Sequence, residues 1–123
     1  MITYRKQIGN LGEQLARQYL QDRGYEIMGA GVRTKFGELD LVAREGETIV
    51  FIEVKTRRGE EHGTPEEAID AHKQAHLRAC AHAYLSEKNL LAASFRIDAI
   101  AIELNEATRK ARLRHLKHAV GEA

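Results

Sequence analysis

Gly37-Glu38-Leu39-Asp40 is followed, after twelve intervening residues, by Glu53-Val54-Lys55, and these carboxylates and this lysine are the residues whose types and spacing could do chemistry. Val50-Phe51-Ile52-Glu53-Val54 is an apolar run broken by one carboxylate. Such a run marks a strand covered on both faces. A carboxylate inside it is expensive unless it is paired or holds a metal. Two hard oxygen ligands on neighbouring strands, with space for water and phosphate, suit Mg²⁺ or Mn²⁺. Lys55, two residues beyond Glu53, points the same way along a strand. It can neutralise a phosphate or orient an attacking water, and the set is then one that hydrolyses a phosphodiester. The same residues also suit a structural ion pair, Glu53–Lys55 or Asp40–Lys55.

The elements that must position them can be read outward from this centre. Glu38–Ala43 and Thr48–Thr56 alternate as strands around Glu45-Gly46, a hairpin turn. With those two residues as the loop, Asp40 lies opposite Phe51 and Glu38 opposite Glu53. Glu38, Asp40, Glu53 and Lys55 then share one face, with Leu39, Leu41, Val50, Ile52 and Val54 on the other. A short strand at Tyr25–Met28 precedes the hairpin. From Tyr4 to Arg23 the spacing predicts a helix whose apolar arc is Ile8, Leu11, Leu15, Ala16, Tyr19 and Leu20, stopped by Gly24. Gly9 and Gly12 each weaken that helix by about 1 kcal/mol, unless they permit close packing or the helix starts nearer Asn10. Glu13 sits just outside the arc, either a third carboxylate at the sheet edge or a solvated glutamate.

A second helix is expected from Thr64 (N-cap), Pro65 (first turn) and Glu67 (capping box) to about Glu87, with Ile69, His76, Cys80, Ala83 and Tyr84 toward the core. Phe95–Ile102 reads as an interior strand. The order α-β-β-β-α-β predicts an α/β fold, a mixed sheet flanked by helices, over residues 1–104. Residues 105–123 are expected to be a basic helix or tail of the same domain. Thr108–His118 holds five Lys/Arg and two His, with Leu113, Leu116 and Val120 as a helical stripe. It offers either a basic face to nucleic acid or a solvated, frayed end.

Arg33, Lys35, Arg57 and Arg58 lie at the ends of the active strands, where a phosphate backbone can pass or where a surface is simply solvated. Asp98, beside Arg96 in an apolar strand, reads as a structural ion pair or a cap to the sheet edge, the alternative being a further acidic ligand. His72 and His76 are four residues apart, but neither they nor His82 find a third ligand at a supporting spacing, which argues against zinc. Cys80, the single cysteine, reads as a small core residue, and no intrachain disulfide can form. The chain has no apolar run long enough for a membrane span and begins without a signal-like stretch, so a cytoplasmic protein is expected. Its 19 Lys+Arg and 18 Asp+Glu give a net charge of +1, which excludes a uniformly basic nucleic-acid binder. Set aside Glu13, Asp40 and Glu53 at a metal, however, and the remaining fifteen acids face nineteen bases.

At these residues the sequence resembles the YraN family of small bacterial proteins, within the PD-(D/E)xK nuclease superfamily and similar to archaeal Holliday junction resolvases. The resemblance runs to about Glu103. It rests on Gly9-Asn10-Leu11-Gly12-Glu13 with Ala16, on Gly37–Val42, and on Val50–Arg57, with the Gly63–Ile69 helix start, Lys73 and Arg96-Ile97-Asp98. It implies a restriction-endonuclease-like core. It further implies Asp40 and Glu53 as metal ligands, Lys55 as catalytic lysine, Glu13 as accessory acid and Lys73 as a phosphate contact. The expected activity is Mg²⁺- or Mn²⁺-dependent endonucleolytic hydrolysis of DNA, branched or structured DNA if the likeness to resolvases extends to substrate. A two-fold dimer would suit such a substrate. The alternative is a non-catalytic nucleic-acid-binding or protein-adaptor module that keeps the fold.

Overall fold

A computed structural model describes residues 4–58, 67 and 69–121 of the chain. Helix α1 (Tyr4–Asp22) leads into strands β1 (Glu26–Thr34), β2 (Gly37–Glu45) and β3 (Thr48–Arg58); α2 (Ala71–Glu87), β4 (Phe95–Asn105) and β5 (Lys110–Val120) follow. The five strands form one sheet in the order β1-β2-β3-β4-β5. Only β3 and β4, joined through α2, run parallel; the other neighbours are antiparallel. The expected α/β class with a mixed sheet and flanking helices is what forms.

Strand β3 is buried on both faces because it feeds two cores. Ile49 and Phe51 pack with Leu77, Cys80, Ala81 and Tyr84 under α2. Val50 and Ile52 pack with Ala16 and Leu20 under α1. Cys80 is fully buried there, as its alanine-rich setting suggests. Leu11 departs from the expected arc and is exposed. Gly12 explains how α1 comes so close to the sheet: a Cβ on it would lie 1.9 Å from the Thr56 hydroxyl oxygen. The glycine permits packing that any side chain would block. No helix among the described residues is long and apolar enough to cross a membrane.

Four sequence expectations need correction. The hairpin loop is Gly46-Glu47, since Glu45 pairs with Thr48. Gly46, at φ +61°, supplies the positive φ that the first position of a two-residue turn requires. Every pairing therefore slides by an even step, which leaves the faces of β2 relative to β3 unchanged. Strand β1 is much longer than Tyr25–Met28, continuing to Thr34 through a bulge between Ile27 and Gly29. Helix α2 begins at Ala71, because Asp70 is its N-cap and takes the Lys73 amide at 2.8 Å; Thr64 and Pro65 lie outside the described residues. Finally, residues 110–120 form a strand, not a helix, and close the sheet against β4.

Candidate active site

The ladder between β2 and β3 runs from Glu45–Thr48 to Leu41–Ile52. Beyond it Asp40 substitutes a side chain for backbone: its Oδ2 accepts the Val54 amide at 2.8 Å. That bond fixes the Asp40 carboxylate beside Glu53. Glu53 is 5% exposed, on the α2 side of β3. Lys73 reaches down from α2 to within 3.4 Å of Glu53 Oε2, and Lys55 Nζ lies 4.0 Å from Oε1. The two lysine side chains are 31% and 28% exposed, so the cluster opens to solvent through its cations.

Burial pushes the Glu53 carboxyl up, the charge of Asp40 and a hydrogen bond to it push the same way, and Lys73 and Lys55 only partly offset them. The net effect is a rise to about 7. Burial is the larger cause, and the adjacent Asp40 carboxylate adds like-charge repulsion that the two ammonium groups do not cancel. This donor pair has the chemistry of a hard divalent cation site, in which one or two carboxylates serve and water or phosphate supplies the rest. Among the described residues no group of three or more His, Cys, Asp or Glu converges.

The structure thus brings Asp40, Glu53, Lys55 and Lys73 together. Glu13 is half-buried on α1 next to Gly12. Glu38 does not share the face of Asp40 as expected: Leu39 turns into the core under α2, breaking the alternation, and Glu38 faces Arg33 at 3.7 Å. Arg33 is exposed, and Lys35 lies over the Phe36 ring at the β1–β2 turn. Arg57, two residues past Lys55, is half-buried, and its Nε has no hydrogen-bond partner. Arg58 pairs with Glu106 at 3.1 Å. His76 Nε2 donates to the Phe36 carbonyl, 2.7 Å away, and contacts Cys80.

On the other face Asp98, wholly buried, is the hub of a second polar cluster. Arg96 Nε contacts both its oxygens at 3.1 and 3.2 Å, as expected for a structural pair. Arg96 also reaches Glu45 and the Tyr25 hydroxyl. His115 Nε2 lies 2.7 Å from Asp98 Oδ2, and the His118 amide donates to Oδ1 at 3.0 Å. His115 Nδ1 lies 3.1 Å from the Tyr19 hydroxyl, so a proton on Nε2 satisfies both bonds. Burial raises the Asp98 carboxyl, but His115, the His118 amide and Arg96 outweigh it and hold it below the usual range. Sequence reasoning missed His115. Its signal was the alternation Arg112-Leu113-Arg114-His115, which puts arginine and leucine on opposite faces of a strand.

A UPF0102 protein of Syntrophus aciditrophicus is 41% identical over 103 residues, 84% of this chain and 81% of its own length. One from Dehalococcoides mccartyi is 40% identical over 122 residues, 99% of both chains. One from Pelotomaculum thermopropionicum is 39% identical over 119 residues, covering 97% of this chain and 99% of the relative. The model of the uncharacterised protein family UPF0102 matches residues 12–102, a span that begins at the glycine against Thr56 and takes in Asp40, Glu53, Lys55 and Lys73. With that match and these near-full-length relatives, the chain belongs to the UPF0102 family, the family its YraN-like motifs point to.

Proposed function

We propose that this protein is a metal-dependent endonuclease of the PD-(D/E)xK type that hydrolyses phosphodiester bonds in DNA, with branched or structured DNA as substrate. The observation that carries the reading is the Asp40–Glu53 carboxylate pair with Lys55 at 4.0 Å, set where β2 and β3 part. Asp40 and Glu53 would hold Mg²⁺ or Mn²⁺, which supplies Lewis-acid stabilisation of charge on the phosphate. Asp40 is oriented for this by the Val54 amide. Lys55 then donates to a phosphate oxygen or positions the attacking water. Lys73, 3.4 Å from Glu53 and 31% exposed, would turn from that carboxylate to the phosphate. Arg33, Lys35, Arg57 and Arg58 extend a cationic track for the flanking backbone. Glu13 serves as an accessory acid from α1. A branched substrate suits a two-fold dimer presenting two such sites. The protein works on DNA in the cytoplasm.

The second reading is a nucleic-acid-binding or adaptor module without chemistry, and one observation favours it: two ammonium groups already stand at Glu53 where a cation would sit. One experiment separates the two. Linear, single-stranded, flapped and four-way DNA are incubated with the protein in Mg²⁺, Mn²⁺ or EDTA, beside Lys55→Ala and Asp40→Asn. Cleavage in either metal, lost in EDTA and in both variants, is the expected result. Cleavage that survives both substitutions overturns the site, and binding without cleavage in every metal selects the adaptor.

A further inference from the structure

Beside α2 runs a groove of about 710 Å³ whose lining includes Lys35, Phe36, Arg78, His82, Phe95 and His118. Four large hydrophobic residues are exposed among those described, and the two that are aromatic, Phe36 at 52% and Phe95 at 40%, both line it. Leaving a phenylalanine ring in water forgoes much of its burial energy. Among the described residues no aspartate or glutamate lines this groove, whereas Lys35 and Arg78 bring cations and His82 and His118 bring exposed imidazoles. The rings are held, not loose. Phe95 stacks edge-on against core Phe51 at 6.0 Å, Lys35 Nζ lies 5.1 Å from the Phe36 ring centre, and the Phe36 carbonyl is tied to His76. Gly37 lets that turn approach: a Cβ there would lie 2.6 Å from the His76 ring.

We propose that this groove takes a single-stranded segment of nucleic acid, its bases on Phe36 and Phe95 and its phosphates on Lys35 and Arg78. A duplex covers the faces of its bases and offers the rings nothing, while a single strand presents both π-faces and charge. The lysine, arginine and two histidines of the lining suit a polyanion better than an apolar peptide. The groove and the candidate active site share α2: Lys73, which reaches Glu53, lies nine residues before His82, about 14 Å along the axis at 1.5 Å per residue and on the opposite face of the helix. That the strand is DNA rests on the function proposed above.

Binding is read by fluorescence anisotropy in EDTA, so that no cleavage is needed, with a labelled oligothymidine of about twelve nucleotides. The comparison ligands are an oligouridine, a DNA duplex of equal length and poly-glutamate as competitor. Phe36→Ser, Phe95→Leu and Arg78→Ala are each expected to weaken oligothymidine binding about tenfold or more, with duplex affinity changed less than about twofold. Phe95→Leu keeps an apolar side chain against Phe51, and Phe36→Ser, at an exposed turn, decides the matter should Phe95→Leu unfold. Oligothymidine affinity unchanged by Phe36→Ser overturns the proposal. So does an equal loss on duplex, or displacement by poly-glutamate as readily as by oligothymidine. A preference for oligouridine overturns the assignment to DNA. Groove binding with no cleavage of any DNA would refute the nuclease alone, and cleavage without groove binding would refute the groove alone.

Discussion

The Val54 amide donates to Asp40 Oδ2 at 2.8 Å, so one carboxylate both completes the β3 backbone's hydrogen bonding and stands against Glu53. The two roles separate by substitution. Asp40→Ala strips the amide of its acceptor and is expected to cost about 1–3 kcal/mol. Asp40→Asn keeps an acceptor oxygen and removes a like charge from Glu53, so its stability at pH 8 should match or exceed that of the parent. Urea denaturation in EDTA checks both, and an Asp40→Asn variant as unstable as Asp40→Ala contradicts the assignment.

The carboxyl of Glu53 titrates near 7 in the folded chain against 4.5 in an unfolded one. Between those values the folded state binds the extra proton, so this group's contribution is fully present below pH 4.5 and is lost as pH rises through 7. Stability in EDTA is expected to fall by up to about 3 kcal/mol from pH 4.5 to pH 8 on this account. Glu53→Gln should flatten that slope. Millimolar Mg²⁺ at pH 8 should raise the parent's urea midpoint and leave Glu53→Gln unmoved; equal Mg²⁺ stabilisation of both would remove Glu53 from the metal site.

Most of the fold was legible because β2 and β3 are apolar runs around a Gly46 turn, and because the charges of Asp40, Glu53 and Lys55 interrupt apolar surroundings that physics would otherwise leave unbroken. A hairpin loop read one residue early did no harm, since the pairing slid by an even step and kept Asp40 with Glu53. Glu38 was misplaced because Leu39 turns into the core under α2, a break in alternation that residue types do not announce. The C-terminal strand was hidden by its own bulge. From Leu116 to Val120, four steps on β5 answer two on β4, from Ala99 to Ile97. Leu113 packs under α1 and Val120 under α2, so the apparent helical stripe joins residues on opposite faces of the sheet, and His118, at φ +52°, turns its amide to Asp98.

Asp98 is fully buried, and its partners hold the charged form below the usual carboxylate range. A group so depressed contributes stability above its unfolded value of 3.8 and loses it as pH falls through the folded value. Asp98→Ala is expected to cost about 3–5 kcal/mol at pH 7, since it leaves Arg96 without its buried partner. Asp98→Asn should remove part of the parent's destabilisation below pH 4. Acid-induced loss of near-ultraviolet circular dichroism, followed for parent and variant, measures it, and superimposable acid transitions would contradict the network.

Gly9 and Gly12 lie on one helix three residues apart, yet they call for opposite outcomes. An alanine Cβ at Gly9 meets nothing within 4 Å, so Gly9→Ala should gain helix propensity unopposed, up to about 1 kcal/mol. An alanine Cβ at Gly12 would meet the Thr56 hydroxyl oxygen at 1.9 Å and its Cβ at 3.0 Å. The β-carbon cannot rotate away, so α1 must lift from the sheet and the same propensity gain is outweighed by about 1–3 kcal/mol of overpacking. Thr56→Ser keeps that Cβ and should rescue little. Thr56→Gly in the Gly12→Ala background removes both contacts and should recover most of the overpacking loss, after allowance for the cost of Thr56→Gly alone. Chemical denaturation of the two singles and the double forms the cycle. A stabilising Gly12→Ala would mean that α1 does not sit against β3 as closely as this glycine allows.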